Sequence, residues 1–335
     1  MNDKQPGPVA SAWQLGLSGA PAWALRVISR YSILLALFLF ISVFSALRPD
    51  TFFTRGNFNA VIGTQAVLLL LALALTIPLA AGDFDLSIGF TLGFTMALVT
   101  ILSADHHWPW PAALAVAAAA GFVIGVVNGL IIVYLGVNAF IVTLGSGTVL
   151  SGLTLAVTNG ETKGGVPDVL QNAARHEIFG LPLVAYYAFV LAALLWYLLE
   201  HTPLGRYVLF VGGGREAARL AGVPVKRIRM GAFVAAAGIC GLAGILTAGQ
   251  LGAEDPTIGP QYLLPAYAAA FLGATTIKPG RFNAWGTVFA LYLLATGITG
   301  LQLLGAPFWV EPVFNGSALT IAVTFARLAS REPPT

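Results

Sequence analysis

The sequence predicts an all-α, polytopic membrane protein with about ten transmembrane helices and an inverted repeat of five spans. Three observations carry that prediction. Of the 335 residues 57 % are hydrophobic and only 9 % are charged, whereas a soluble domain carries roughly 25 % charged residues to cover its water-facing surface. Apolar runs close to the ~20 residues needed to cross the hydrocarbon recur along the whole chain. The basic residues are concentrated: six of the seventeen Lys and Arg (Arg206, Arg215, Arg219, Lys226, Arg227 and Arg229) lie between Glu200 and Met230, with long apolar segments on both sides. Positive charge is retained on the cytoplasmic side during insertion, so this loop is expected inside the cell.

In chain order, residues 1–30 read as a cytoplasmic leader. It holds Lys4, Arg26 and Arg30 but no early apolar core, so a retained first span is expected rather than a cleaved signal. A single transmembrane domain follows over 31–327, with spans expected near 31–47, 61–81, 86–103, 112–135, 139–158, 181–199, 231–251, 263–277, 284–304 and 308–326. A cytoplasmic tail occupies 328–335. Ten spans put both termini on one side. With the 200–230 loop inside, Lys278/Arg281 and Arg327/Arg331 also fall inside, and the acidic loops around Glu161–Asp168 and Glu254–Asp255 fall outside. Arg48 and Arg55 are the exceptions. The net charge of +3 therefore reads as topology, not as a nucleic-acid surface.

Irregular backbone cannot face lipid, so the glycines inside these spans must meet protein or a cavity. Gly121, Gly125 and Gly129 recur every four residues and predict close approach of another helix. A repeat is also visible. Gly82-Asp83-Phe84-Asp85-Leu86-Ser87-Ile88-Gly89 aligns with Gly252-Ala253-Glu254-Asp255-Pro256-Thr257-Ile258-Gly259, 170 residues downstream. Gly129-Leu130, Leu135-Gly136 and Phe140 are echoed by Gly300-Leu301, Leu304-Gly305 and Phe308. Five spans separate the copies, an odd number, so the second would be inserted upside down. Transporters are often built this way, with the solute path along the repeat interface.

The candidate path residues are Asp83, Asp85, Ser87, Asn128, Asn138, Phe140 and Thr143. Ionisable groups beside an apolar run are costly and usually functional. Asp85 or Ser87 would equally serve as a cap for the third span, and the two roles are compatible. The polar residues of the fourth and fifth spans could bind a polar solute or join helices to each other. The candidate coupling element is the helix Arg215, Glu216, Ala217, Ala218, Arg219, Leu220, Ala221 and Gly222, which begins and ends near glycine. A compact helix displayed to the cytoplasm is a place for something to dock.

Several chemistries are not indicated. Cys240 is the single cysteine, so there is no intrachain disulfide and no cysteine metal site. His106 and His107 beside Trp108 and Trp110 read as an interfacial belt, since a metal needs three or four ligands. Leu144-Gly145-Ser146-Gly147 lacks the leading glycine and the histidine base of a serine protease. Gly212-Gly213-Gly214 lacks the lysine of a phosphate-binding loop. No cofactor is expected, and the chain is not expected to be an enzyme.

Taken together, the motifs resemble the permease subunit of ribose-type (monosaccharide) ATP-binding-cassette importers. The resemblance rests on Gly82–Gly89, on Val137-Asn138-Ala139-Phe140-Ile141-Val142-Thr143-Leu144-Gly145, and on Thr158-Asn159-Gly160. It continues through Thr202-Pro203-Leu204-Gly205-Arg206 to Glu216–Val223, and through Phe271-Leu272-Gly273-Ala274-Thr275-Thr276 to Pro279-Gly280-Arg281-Phe282. Asp83 stands where that family usually has a second glycine, Phe84 replaces the usual Ile, and Lys278-Pro279 replaces small residues. The resemblance implies two permease copies, identical or related, in a bacterial cytoplasmic membrane. It also implies a separate ATP-binding-cassette ATPase, an extracytoplasmic solute-binding protein, and import of a monosaccharide or related polyol by alternating access. Arg215–Val223 would be the coupling helix seated on the ATPase, with Arg215, Arg219, Lys226 and Arg227 free to pair with its acidic groups. The rival reading is an ion-coupled secondary transporter with Asp83 or Asp85 as the ion site.

Overall fold

A computed structural model of the chain describes residues 22–329. The leader up to residue 21, with Lys4, and the end of the tail, with Arg331, lie outside the described residues. The helices are α1 (Ala22–Leu47), α2 (Arg55–Thr64), α3 (Ala66–Ala80), α4 (Ile88–Ala104), α5 (Trp110–Gly129, continued by a π-helical stretch over Leu130–Tyr134), α6 (Ala139–Thr158), α7 (Asp168–Arg175), α8 (Leu183–His201), α9 (Pro203–Gly213), α10 (Arg215–Leu220), α11 (Val225–Leu251), α12 (Ile258–Gln261), α13 (Leu263–Gly273), α14 (Ala284–Leu303) and α15 (Val310–Ala329). Two short antiparallel ladders decorate the loops. In one, β1 (Lys163–Gly164) pairs with β4 (Ala253–Glu254); in the other, β2 (Glu177–Ile178) pairs with β3 (Leu181–Pro182).

A helix stands at each of the ten expected stretches, but they are not alike. Among the described residues five are long and apolar enough to cross a membrane: Trp110–Tyr134, α6, α8, α11 and α14. The pair α2 and α3, bent by 44°, makes a sixth. The apolar segments Tyr31–Leu47 and Ile88–Ala104 are shorter. The stretch expected over 263–277 is only the 11-residue α13, about 16 Å long at 1.5 Å per residue. Its end has a cause that hydropathy does not register. The Asn283 side-chain Nδ2 donates to the carbonyls of Gly273 and Thr276, each at 3.2 Å, and so bends the chain away.

The 200–230 region also departs from the expected polar loop carrying one helix. It is helical almost throughout: α9, then α10, then the first turns of α11. Thr202 caps α9 by accepting from the Gly205 N–H at 3.3 Å, and Pro203 occupies the first helical position, where its missing N–H costs nothing.

Helix α3 is apolar but for Thr76, and every residue except Leu68 is buried, as expected of a helix at the centre of a bundle. Around it α4 packs on α5 and α6, while α13 packs on α14 and α15. That correspondence follows the repeat. Gly82 and Gly252 both adopt positive φ (+80° and +72°), as do Gly136 and Gly305 (+75° and +88°). Gly121 meets α11 as anticipated: a Cβ there would stand 3.0 Å from the Ala237 carbonyl oxygen. The loop contacts sort into two polar ends. At one end Lys278 pairs with Glu200 at 2.9 Å and Arg215 with Asp83 at 2.8 Å. At the other, the 163–164 and 253–254 segments pair and Arg175 Nε donates to the Gln250 carbonyl at 2.7 Å.

Candidate functional site

The turn between α3 and α4 gathers most of the candidate residues. Helix α3 ends when Gly82 swings into the left-handed region and the Asp83 N–H returns to the Pro78 carbonyl at 2.9 Å. Asp85 then folds an Asx turn. Its Oδ1 accepts from the Ser87 N–H at 2.9 Å and from the Ser87 hydroxyl at 2.5 Å, after which α4 begins at Ile88. This local chemistry is what Asp-x-Ser specifies, since a short carboxylate satisfies the donors that open a helix.

Four helices hold this turn. From α13 the Tyr267 hydroxyl accepts the Asp85 N–H at 3.1 Å. From α6 the Thr143 hydroxyl accepts the Leu86 N–H at 3.0 Å and donates to the Ala139 carbonyl at 2.7 Å. From α5 the Asn128 amide donates to Ser87 Oγ at 3.0 Å. From α11 the Arg229 fork grips Asp83, Nε to Oδ2 at 2.6 Å and Nη2 to Oδ1 at 2.8 Å. The first residue of α10 adds a fifth tether: Arg215 Nη2 donates to Asp83 Oδ1 at 2.8 Å and to the Gly82 carbonyl at 2.7 Å.

Asp83, Asp85, Ser87, Asn128 and Thr143 are thus buried inside the chain and bonded around one turn. Asp85 Oδ2 and Asn128 Oδ1 remain without a hydrogen bond. Asn138 and Phe140 lie apart from this cluster. Asn138 caps α6 through the Phe140 N–H at 2.9 Å, and both residues are exposed. With Phe84 they line a cavity of 580 Å³ whose floor includes Arg215 and Arg229. The Phe84 ring stacks on Tyr267 and Phe271 at 6.3 and 6.2 Å.

The short helix expected at 215–222 is present as α10, and Gly222 follows it at φ +79°. Ala218 is buried, Leu220 is exposed, and Glu216 pairs with Arg219 at 2.6 Å. Of the cations expected to be free for a partner, Arg215 is engaged by Asp83, Arg219 by Glu216, and Lys226 lies 5.5 Å from the centre of the Tyr134 ring. Sequence reasoning did not single out Arg229 or Tyr267. The signal for Arg229 was available: an acid beside an apolar run requires a base.

The repeated turn starts beside the 163–164 ladder, and its Gly259 reaches Gly89 of the first turn. Asp255 Oδ1 accepts from the Thr257 N–H at 2.9 Å and from its hydroxyl at 2.8 Å, and α12 begins at Ile258. Glu254, on β4, is fully enclosed and neither carboxylate oxygen has a hydrogen-bond partner. Burial, with a smaller push from Asp255, raises its carboxyl to about 7.

Comparison with known proteins places these features in context. The family model described as branched-chain amino acid transport system / permease component matches residues 57–324. The chain is 32 % identical over 306 residues to the ribose import permease protein of Bacillus subtilis, covering 91 % of this chain and 94 % of that one. It is 31 % identical over 297 residues to the ribose import permease protein of Escherichia coli K12, covering 87 % and 91 %. The D-allose transport system permease protein of Escherichia coli K12 is 26 % identical over 302 residues, covering 90 % and 93 %. No solved structure matches the chain significantly.

Proposed function

The chain belongs to the family of branched-chain amino acid transport system permease components, and on that premise we propose that it is the transmembrane subunit of an ATP-driven importer. Its cargo is a small polar solute of the monosaccharide or polyol class, the class that the names of its ribose and D-allose relatives give for those proteins. The observation that carries the reading is the placement of α10. A short, largely exposed helix projects from the polar end that also holds the signature turn, and its first residue is bonded into that turn. ATP hydrolysis belongs to a separate subunit that seats α10 in a groove. An extracytoplasmic solute-binding protein would deliver the solute to the opposite end, where Asp255 and β4 lie. The end bearing α10, together with both termini, faces the cytoplasm of a bacterium.

The solute path runs past Phe84, Asn138 and Phe140, whose side chains line the 580 Å³ cavity. Asp83, Asp85, Ser87, Asn128 and Thr143 hold the turn that carries Phe84. A second permease copy, identical or related, covers the open side of α6, where a Cβ added at Gly145 or Gly152 would meet nothing within 4 Å. An ion-coupled carrier is disfavoured on Asp83, because both of its oxygens are already taken by guanidinium groups.

The test is co-purification of the tagged permease from its native membrane, followed by mass spectrometry. An ATPase should be recovered in comparable amount and lost in Gly222→Trp, which forces a bulky side chain onto left-handed backbone at the end of α10. A permease recovered alone that still takes up solute along an ion gradient would overturn the proposal.

A further inference from the structure

We infer that Asp83 is a positioning residue that carries movement of α10 into the signature turn, and through Phe84 to the wall of the solute cavity. This rests on the reading of α10 as the coupling helix. The Asp83 side chain is 3 % exposed and meets two arginines from different helices. Arg229 holds it with a bidentate fork, which fixes the plane of the carboxylate as well as its position. Arg215 holds the same Oδ1 and also the Gly82 carbonyl, so side chain and backbone of the turn are gripped from one point. Two guanidinium groups repel each other, and the shared carboxylate is what keeps them adjacent. Removing it both unties α10 from the turn and leaves two cations side by side.

The linkage is short. Arg215 is the first residue of α10, Asp83 is its direct partner, and Phe84 is the next residue along the chain, with its ring stacked on Tyr267 and Phe271 at the cavity wall. Asp85, one residue further, is the carboxylate that starts α4. Arg215 and Asp83 touch directly, and both line the cavity beside Phe84. A second route exists, since Gly212 of α9 packs directly against the Ala80 carbonyl at the end of α3. That contact is uncharged and survives a change at Asp83, so the two routes can be separated.

The experiment uses the whole importer, permease with ATPase and binding protein, in proteoliposomes. Ribose is the first solute offered, and uptake and ATP hydrolysis are read in the same sample. In Asp83→Asn the ATPase should still co-purify and hydrolysis should persist. Solute moved per ATP should fall about tenfold, within the usual range of coupling between distant sites. Asp83→Glu, which restores the acid, should recover a substantial part of that ratio. Should Asp83→Asn fail to insert, Arg215→Gln keeps the Arg229 fork, and an intermediate fall in the ratio is then expected. An unchanged ratio in an intact Asp83→Asn complex overturns the inference, as does a proportional loss of uptake and hydrolysis, which marks a merely structural role. Failure of the wild-type permease to bring down an ATPase is a different result, and it removes the coupling-helix reading itself.

Discussion

Residues 82–89 and 252–259 both open on a glycine in the left-handed region, and both close on an Asx turn that starts a helix at an isoleucine. Their attachments differ. The first turn is bound by side chains from α5, α6, α10, α11 and α13, with two arginines on one buried carboxylate. The second is held by a two-residue ladder to 163–164, and it encloses an acid, Glu254, with no hydrogen-bond partner. One local motif is therefore held in two different ways. At the end bearing α10 the turn is bonded to the first residue of that helix. The second turn instead rests on the ladder to 163–164 and on the backbone of Gly89.

The largest expected effect comes where the two copies touch. Gly89 and Gly259 meet backbone to backbone: a Cβ at either position would stand 2.5 Å from the other's carbonyl oxygen. Backbone cannot step aside as a flexible side chain would. Gly259→Val should cost about 3 kcal/mol, the upper part of the range for overpacking, and Gly89→Val a similar amount. Both variants should lose the monodisperse peak in detergent size-exclusion chromatography. A well-behaved, transport-active Gly259→Val protein would mean that the two turns do not cross at these glycines, and the comparison would break.

A second effect, no larger than the first, separates the two turns by pH. Glu254 titrates near 7 in the folded protein against an ordinary value of 4.5, so the folded state holds this proton more tightly than the unfolded chain. Its contribution is fully present below about 4.5 and is lost as pH rises through 7, an effect on the order of 3 kcal/mol at most. Asp255, its neighbour, adds to the push. Lys163, opposite it in the ladder, is paired with Glu161 at 3.2 Å. Amide exchange at 163–164 and 253–254, corrected for its intrinsic pH dependence, should accelerate between pH 5 and pH 8, and Glu254→Gln should flatten the profile. The same acceleration in the Gln variant would show that another group loosens this end.

Local chemistry explains which parts of this arrangement were legible in the sequence. The cap at Asp85 could be read because Asp-x-Ser acts over two residues, and α10 because glycines bracket it. The membrane class followed from composition. The α9 helix was signalled by Thr202-Pro203 but hidden in a stretch read as polar loop. The early end of α13 depends on Asn283, ten residues beyond Gly273. The junction of Asp83 with Arg215 and Arg229 spans 132 and 146 positions: an acid beside an apolar run signals that a base is needed, but a single sequence does not say which one. For Ser87, Asn128 and Thr143 the sequence left solute binding, capping and helix joining open; the Ser87 and Thr143 hydroxyls and the Asn128 amide nitrogen bond to one another and to backbone around one turn.

The smallest effect tests whether burial, and not the motif, distinguishes the two turns. Asp85 and Asp255 make the same pair of hydrogen bonds, but Asp85 is enclosed while Asp255 is half-buried and its partner Thr257 is exposed. Asp255→Ala should cost about 0.5–1 kcal/mol, the ordinary loss of a helix-start acceptor, because water replaces the carboxylate. Asp85→Ala leaves the Ser87 N–H and hydroxyl without their acceptor in a closed space, and should cost about 1–3 kcal/mol. Asp85→Asn keeps an acceptor at Oδ1 and should fall between wild type and Ala. Thermal unfolding of the three variants in one detergent checks the order. Equal losses for Asp85→Ala and Asp255→Ala would mean that enclosure adds nothing at Asp85, and the difference between the two ends would then reduce to the arginines on Asp83.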